Sequence, residues 1–227
     1  SPLLGYAIGI DETRNWYLPL AHQGLDAYPQ LSPPKVHAAL SKLLHEHEVA
    51  LRAHDAKSLL HALNDEGIDA ADHLTFDTML ASYLVDAGKY AHTLPNIALD
   101  RLNHKTLDLE AITGKGRSKR ALDSLPPDAL RDWACEQVQL VSLLSNILAE
   151  ELEQAGLRPL MEELELPLLR LLTSMEGEGI KVDTDMLRSL SEELGTRAAE
   201  IEAEAHELAG ETFSLGSPKQ LGRILFE

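Results

Sequence analysis

Residues 162–183, EELELPLLRLLTSMEGEGIKVD, limit the possible folds of this chain more than any other stretch. Leu164, Leu168, Leu171, Leu172 and Met175 recur at helical spacing, so one side of a helix is apolar and is expected to be buried. Pro167 falls inside that pattern, which places either a helix start or a kink there. Gly177, Glu178 and Gly179 supply stop residues, and Asp183 stands where it caps the next helix. Strand and helix signals mix before this stretch and only helix signals follow it. It reads as a joint between two units.

The 227 residues suffice for one large or two modest domains with real cores. A single cysteine, Cys135, cannot close an internal disulfide, which points to a reducing cytoplasm. No apolar run approaches the ~20 residues of a membrane-spanning helix, and no signal peptide is read at the start. The formal net charge is −17, and residues 150–211 hold 17 acidic against five basic side chains. The excess therefore sits on the second unit's helices as a solvated acidic face, which cannot supply phosphate contacts by itself. The chain opens at Ser1 in a strand pattern and stops at Phe226-Glu227 in a helical one, as a fragment of a longer protein would.

Residues 4–10 and 16–20 are short apolar runs separated by a polar turn, the pattern of a strand hairpin. Ser32-Pro33 opens a helix with a hydroxyl cap and a first-turn proline. Short extended pieces at 49–51 and 74–76 alternate with helices at 55–65 and from Asp77 to Val85, which implies an α/β layer with a partly parallel sheet. A short helix over 94–102, a polar loop over 113–124 and a long helix from Pro126-Pro127 to about Glu153 follow. The long helix carries a seam of Leu130, Gln137, Val141, Leu144, Leu148 and Leu152, with Gln137 its polar member. Beyond the joint, Leu187, Leu190, Leu194, Ala198, Ile201, Ala205 and Leu208 step by threes and fours, the narrow stripe of a helix that packs in an antiparallel pair. Ser217-Pro218-Lys219-Gln220 reads as a capping box, with Leu221, Ile224 and Leu225 on the buried face of the last helix.

Several chemistries drop out on spacing alone. The ten histidines are scattered: His37 with His45 and His47 with His54 lack the short paired spacing of a zinc site, so they read as surface or packing residues. No Gly-x-Ser-x-Gly nucleophile elbow is present. The loop GKGRSKR, 114–120, lacks the earlier glycine and the following Ser/Thr of a nucleotide P-loop. Its Lys115, Arg117, Lys119 and Arg120 still form a candidate nucleic-acid backbone contact, weighed against plain solvation.

FDTMLASYLVDAG from Phe76, the later AITGKG, and ELPLLRLLTSMEGEGIKVD followed by ELAGETFSLGSPKQLGRILFE resemble bacterial DNA polymerase I, a family A DNA polymerase, over essentially the whole chain. The resemblance implies a ribonuclease H-like 3′–5′ exonuclease fold, a mixed sheet with flanking helices, over residues 1–155. It implies that residues 156–227 are an all-α segment, the first helices of the polymerase domain leading into the thumb. In the longer protein it implies a primer-template, deoxynucleotide triphosphates and magnesium, with the palm and fingers outside these residues. A monomer in the bacterial cytoplasm, associated with the nucleoid, is the expected setting.

Exonucleases of this type hold two divalent metals on four carboxylates, which activate water and stabilise the leaving oxygen. The resemblance places the first two, an Asp-x-Glu pair, on a strand before residue 1. The third belongs to an Asn-x-Lys-x-Asp pattern that falls on Asp55-Ala56-Lys57-Ser58-Leu59, where Leu59 stands in place of the aspartate. The fourth follows a tyrosine by four residues, and there Trp133 replaces the tyrosine and Gln137 the aspartate. Leucine cannot bind a hard cation, and a neutral amide adds no charge to offset two divalent ions. The expectation is a degenerate exonuclease domain with no metal site, and with Gln137 hydrogen-bonded in a packed interior. Asp55 and Glu136 are the alternative ligands of an active 3′–5′ exonuclease, and a non-enzymatic helical adaptor is the remaining reading.

Overall fold

The computed structural model describes residues 3–23 and 30–226, so the two chain ends named above, Ser1 and Glu227, lie outside the described residues. The chain divides into two compact units, one up to Glu178 and one from Gly179 onward.

In the first unit the predicted hairpin forms: β1 (Gly5–Gly9) pairs antiparallel with β2 (Asn15–Pro19), Gly5 opposite Pro19 and Ile8 opposite Trp16. Its turn is closed by the Asp11 carboxylate, which accepts from the Thr13 and Arg14 backbone N–H groups at 2.9 and 2.8 Å. Gly5 is required by close approach, since a Cβ there would lie 2.5 Å from the Leu18 carbonyl oxygen. Helix α1 (Pro33–Glu46) starts at Ser32, yet the Ser32 hydroxyl makes no cap bond; the Ser32 carbonyl accepts from Lys35 and Val36 N–H instead. The expected hydroxyl cap is therefore absent.

Two extended pieces form, β3 (Leu51–Ala53), two residues later than the predicted 49–51, and β4 (Leu74–Asp77), paired parallel, each followed by a helix: α2 (Ala56–Asp65) and α3 (Thr78–Val85). Among the described residues the hairpin and the parallel pair are two separate two-stranded sheets. Helices α4 (Leu94–Leu102) and α5 (Leu109–Thr113) lead into α6 (Pro127–Gln154), which packs on both sheets and on α3 and α4. The α6 side buries Leu130, Ala134, Leu140, Leu144, Leu148 and Leu152, whereas Gln137 and Val141 of the predicted seam are only half-buried. The core joins Leu140, Leu144, Leu148 and Leu152 to Leu60, Leu63, Ile68, Leu74 and Ile97.

The 158–178 segment corrects the expected face. A short turn α7 (Arg158–Leu160) runs through a wide π-type turn (Met161–Glu165) into α8 (Leu166–Glu178). The Leu166 N–H reaches back five residues to the Met161 carbonyl. This looser turn accommodates Pro167, whose missing N–H and ring disrupt the ordinary ladder, and it rotates the following residues by one position. The buried side is Met161, Leu166 and Thr173, while Leu164, Leu168, Leu171, Leu172 and Met175 stand exposed.

The second unit contains α9 (Thr184–Ala209), capped by Asp183 through the Asp185 and Met186 N–H groups, and α10 (Pro218–Phe226). Gly179 and Gly210 end α8 and α9 at φ 71° and 73°, the left-handed stop that glycine adopts without cost. The capping box at Ser217 forms by half. The Gln220 N–H meets the Ser217 hydroxyl at a long 3.4 Å, and the Gln220 side chain accepts from Ser214 N–H rather than reaching Ser217. Leu225, expected on the buried face of α10, is exposed.

Asp77 joins two helices to the parallel pair. It is 1% exposed, one carboxylate oxygen accepts from Met79 and Leu80 N–H at 2.7 and 3.1 Å, and the other accepts from Ala56 N–H at 2.6 Å. One negative charge thus satisfies orphan donors at the N-termini of both α2 and α3. Asp77→Ala should cost about 3 kcal/mol in urea unfolding, with amide exchange rising at Ala56, Met79 and Leu80 and with Asp77→Asn recovering part of the loss.

Candidate functional site

The positions aligned with the metal ligands lie where β3 passes into α2 and along the first half of α6. Asp55, the residue before α2, has φ 55° and ψ 58°. Asparagine and aspartate tolerate this left-handed backbone better than other side chains. The residue type at that position therefore answers a backbone demand independent of any metal. Its carboxylate accepts from the Ser58 hydroxyl at 2.6 Å. Leu59 is half-buried and packs against the hydrophobic core. His54 beside it is mostly buried, and burial pushes it below the usual histidine value, opposed by the nearby Asp77 and Asp55 carboxylates. The Thr78 hydroxyl donates to the Ala53 carbonyl and accepts from the His54 Nδ1–H at 3.0 Å.

Lys57, the motif residue that matches, turns toward α8. Its Nζ lies 2.8 Å from a Glu176 oxygen, and His61 Nε2 meets the other oxygen at 2.9 Å. On the same helix the Arg170 guanidinium donates to the Leu74 carbonyl at 2.7 Å.

On α6, Trp133 and Gln137 are half-buried, one turn apart. Among the described residues the Gln137 side chain makes no hydrogen bond, so the expected hydrogen-bonded residue of a packed interior is instead a part-exposed amide. Glu136 is the more engaged neighbour. Its side chain is 12% exposed and accepts from His104 Nε2 and from the Leu107 N–H, each at 2.8 Å. It closes the segment between α4 and α5, a role its position in the sequence did not reveal.

The cationic loop is partly self-satisfied. Lys115 pairs with Glu110 at 3.0 Å, and Arg120 donates to the Ile112 carbonyl at 2.9 Å. Among the described residues Arg117 and Lys119 make no ion pair and stay exposed. Buried His22, missed as a specific anchor, bridges distant segments. Its Nδ1–H donates to the Leu125 carbonyl at 2.7 Å, which leaves Nε2 to accept from the Tyr17 hydroxyl at 2.7 Å.

Two divalent cations need several anionic oxygens converging on one point. Leu59 offers hydrocarbon, Gln137 a neutral amide, and the Glu136 carboxylate is occupied by two donors. Among the described residues no three His, Cys, Asp or Glu side chains are placed to hold a metal. Leu59 and Gln137 bring no anionic oxygen to the positions that the resemblance assigns to metal ligands.

The first unit contains a ribonuclease H-like domain, with small sheets of both senses among many helices. Residues 26–144 match the family described as DNA polymerase I, ribonuclease H-like domain. The chain belongs to the bacterial DNA polymerase I family. It is 32% identical to the DNA polymerase I of Pseudomonas aeruginosa over 99% of its own length and 25% of that protein. With the Bacillus subtilis enzyme it shares 40% identity over 76% of its length and 19% of the relative. Among solved structures it resembles the POL domain of Pol1 from M. smegmatis in complex with DNA primer-template and dNTP. That match has TM-score 0.62 and 29% identity, covering 86% of this chain and 31% of the other. The chain thus spans a quarter or less of these curated relatives.

Two outcomes test this geometry. Asp55→Ala should lose about 1–2 kcal/mol in urea unfolding because alanine disfavours the left-handed backbone, whereas Asp55→Gly should stay near the parent. The second concerns Glu176, whose carboxyl is held below the usual 4.5 by Lys57 first and then His61, while Lys57 is held above 10.5 by Glu176. A depressed carboxyl contributes stability above pH 4.5 and loses it as pH falls through the folded value. A raised lysine contributes below pH 10.5 and loses it as pH rises through its own folded value. Both side chains are exposed, so the effect is modest. The melting-temperature gap between the parent and Glu176→Gln should be present at pH 6 and shrink toward zero as the pH is lowered through the acid range.

Proposed function

We propose that this fragment of DNA polymerase I carries a 3′–5′ exonuclease domain that keeps its fold and has lost paired-metal hydrolysis, serving as a structural support for the polymerase module. The observation that carries this reading is Leu59, a hydrocarbon at the aligned ligand position whose side chain packs on the core. Glu136, the nearest substitute acid on α6, is committed to His104 and Leu107. In functional terms residues 1–155 form the exonuclease-like domain and 156–227 begin the polymerase domain, leading into the thumb.

Nucleotidyl transfer is then the work of palm and finger residues beyond this segment. Primer-template and deoxynucleotide triphosphates are their substrates, and magnesium supplies charge neutralisation there when bound. The parent acts in replication and repair as a monomer in the bacterial cytoplasm, at the nucleoid. Among the described residues no helix is long and apolar enough to cross a membrane. Arg117 and Lys119, the two cations of the loop without an ion-pair partner among the described residues, are the residues offered to a DNA backbone.

The decisive experiment extends the chain upstream by a strand carrying an Asp-x-Glu pair and measures degradation of single-stranded DNA in magnesium or manganese. No activity above a catalytically dead control is expected. Robust activity that Asp55→Ala or Glu136→Ala abolishes would establish an active exonuclease instead. A long reading frame without carboxylate-bearing palm motifs would point to a helical adaptor. Gln137→Asp alone should leave the protein inactive, since Leu59 still starves the second metal of ligands. Manganese should leave the melting temperature of the parent chain unchanged to within about 1 °C, whereas a metal held at 100 times its Kd would add ~2.7 kcal/mol.

A further inference from the structure

Thr173 is the last buried residue of α8, and every residue from Ser174 to Glu178 is exposed. By its own composition this final turn is a poor helix. Gly177 lies inside it, and glycine is among the weakest helix formers. Glu176 and Glu178 place negative charge at the negative end of the helix dipole, and the turn holds no basic residue to offset them. Neither burial nor propensity keeps it wound.

Glu176 supplies what is missing. Its two carboxylate oxygens are taken separately, one by Lys57 Nζ at 2.8 Å and the other by His61 Nε2 at 2.9 Å. Lys57 and His61 are one turn apart on α2, so they stand on one face and grip the carboxylate from two sides. An ionised carboxylate only accepts, so His61 carries a proton on Nε2 in either charge state, and a second proton, on Nδ1, turns that hydrogen bond into an ion pair. The neighbouring elements add three acids. Asp55 before α2 reinforces Lys57, Glu178 lies two residues further along α8, and Asp77 of β4 is buried and bonded to backbone N–H groups.

We propose that the final turn of α8 is a conditional latch, wound while Glu176 bridges Lys57 and His61 and unwound when that bridge is lost, with the charge on His61 setting its strength. Four residues, 179–182, separate α8 from the Asp183 cap of α9. Unwinding 174–178 adds five residues to that connection, so the reach between the two units follows the state of one carboxylate. The sign with pH follows from the groups. The latch tightens as pH falls from 8 toward 6, the range in which histidines take up charge, and it is lost in acid, where Glu176 is protonated. The proposal rests neither on family membership nor on the reading of the metal site.

The test reads amide hydrogen exchange by NMR in residues 1–227, with each rate divided by its intrinsic value at the same pH. In Glu176→Gln at pH 6 the protection of the 175–178 amides should fall about fivefold, the scale of two exposed ion pairs. The amides of 168–172 and of α2 should keep the parent's protection. Lys57→Met combined with His61→Gln, which leaves Glu176 unpaired at the negative end of the dipole, should cost the same amides at least as much. Between pH 6 and pH 8 the parent should lose about twofold of that protection, and His61→Gln alone should remove this pH dependence. Unchanged protection at 175–178 in Glu176→Gln overturns the proposal. So does a loss spread evenly along α8, and so does a pH dependence that survives His61→Gln.

Discussion

Three backbone N–H groups from two helices converge on one buried carboxylate, Asp77, and the first unit depends on that convergence. Parallel strands place the N-termini of their following helices at the same end of the sheet, so the positive ends of α2 and α3 are brought together by topology. Without an anion between them those ends would leave donors unpaired in a dry interior. With Asp77 in place, β4, α2 and α3 become one rigid corner, and His54 and Thr78 are drawn into it through the Ala53 carbonyl.

Much of this was readable in the residues. The hairpin and the strand–helix alternation follow from short apolar runs bounded by turn residues, and Asp77 and Asp183 were recognisable as caps because an aspartate before an apolar helical pattern has few other uses. The buried face of α8 was not readable. Residues 160–175 are apolar on more than one side, and a single wide turn at Met161–Glu165 decides which side goes in. Periodicity assumes an unbroken ladder, and Pro167 breaks it. Ser32 and Ser217 show another limit: the Ser32 carbonyl takes the donors meant for its hydroxyl, and the Gln220 side chain turns to the Ser214 N–H, which leaves Ser217 half of its box.

The candidate site was legible as a set of substitutions and illegible as a set of contacts. Leu59 and Gln137 stand out once the motif is aligned, because a hydrocarbon and an amide cannot replace carboxylates. That Glu136 would be consumed by His104 and Leu107 depends on a loop folding back over 29 to 32 positions of sequence. The left-handed backbone at Asp55 and the turn of Lys57 toward Glu176 likewise arise from tertiary packing.

Arg170 has a consequence for how such proteins can be cut and recombined. Its guanidinium rests on the Leu74 carbonyl, and Met161 and Leu166 share one core with Leu60 and Leu148. A cut near residue 155 would therefore run through a continuous apolar interior. A chimaera joined there would inherit two half-cores from different parents, whereas one joined beyond Glu178 would leave that core whole.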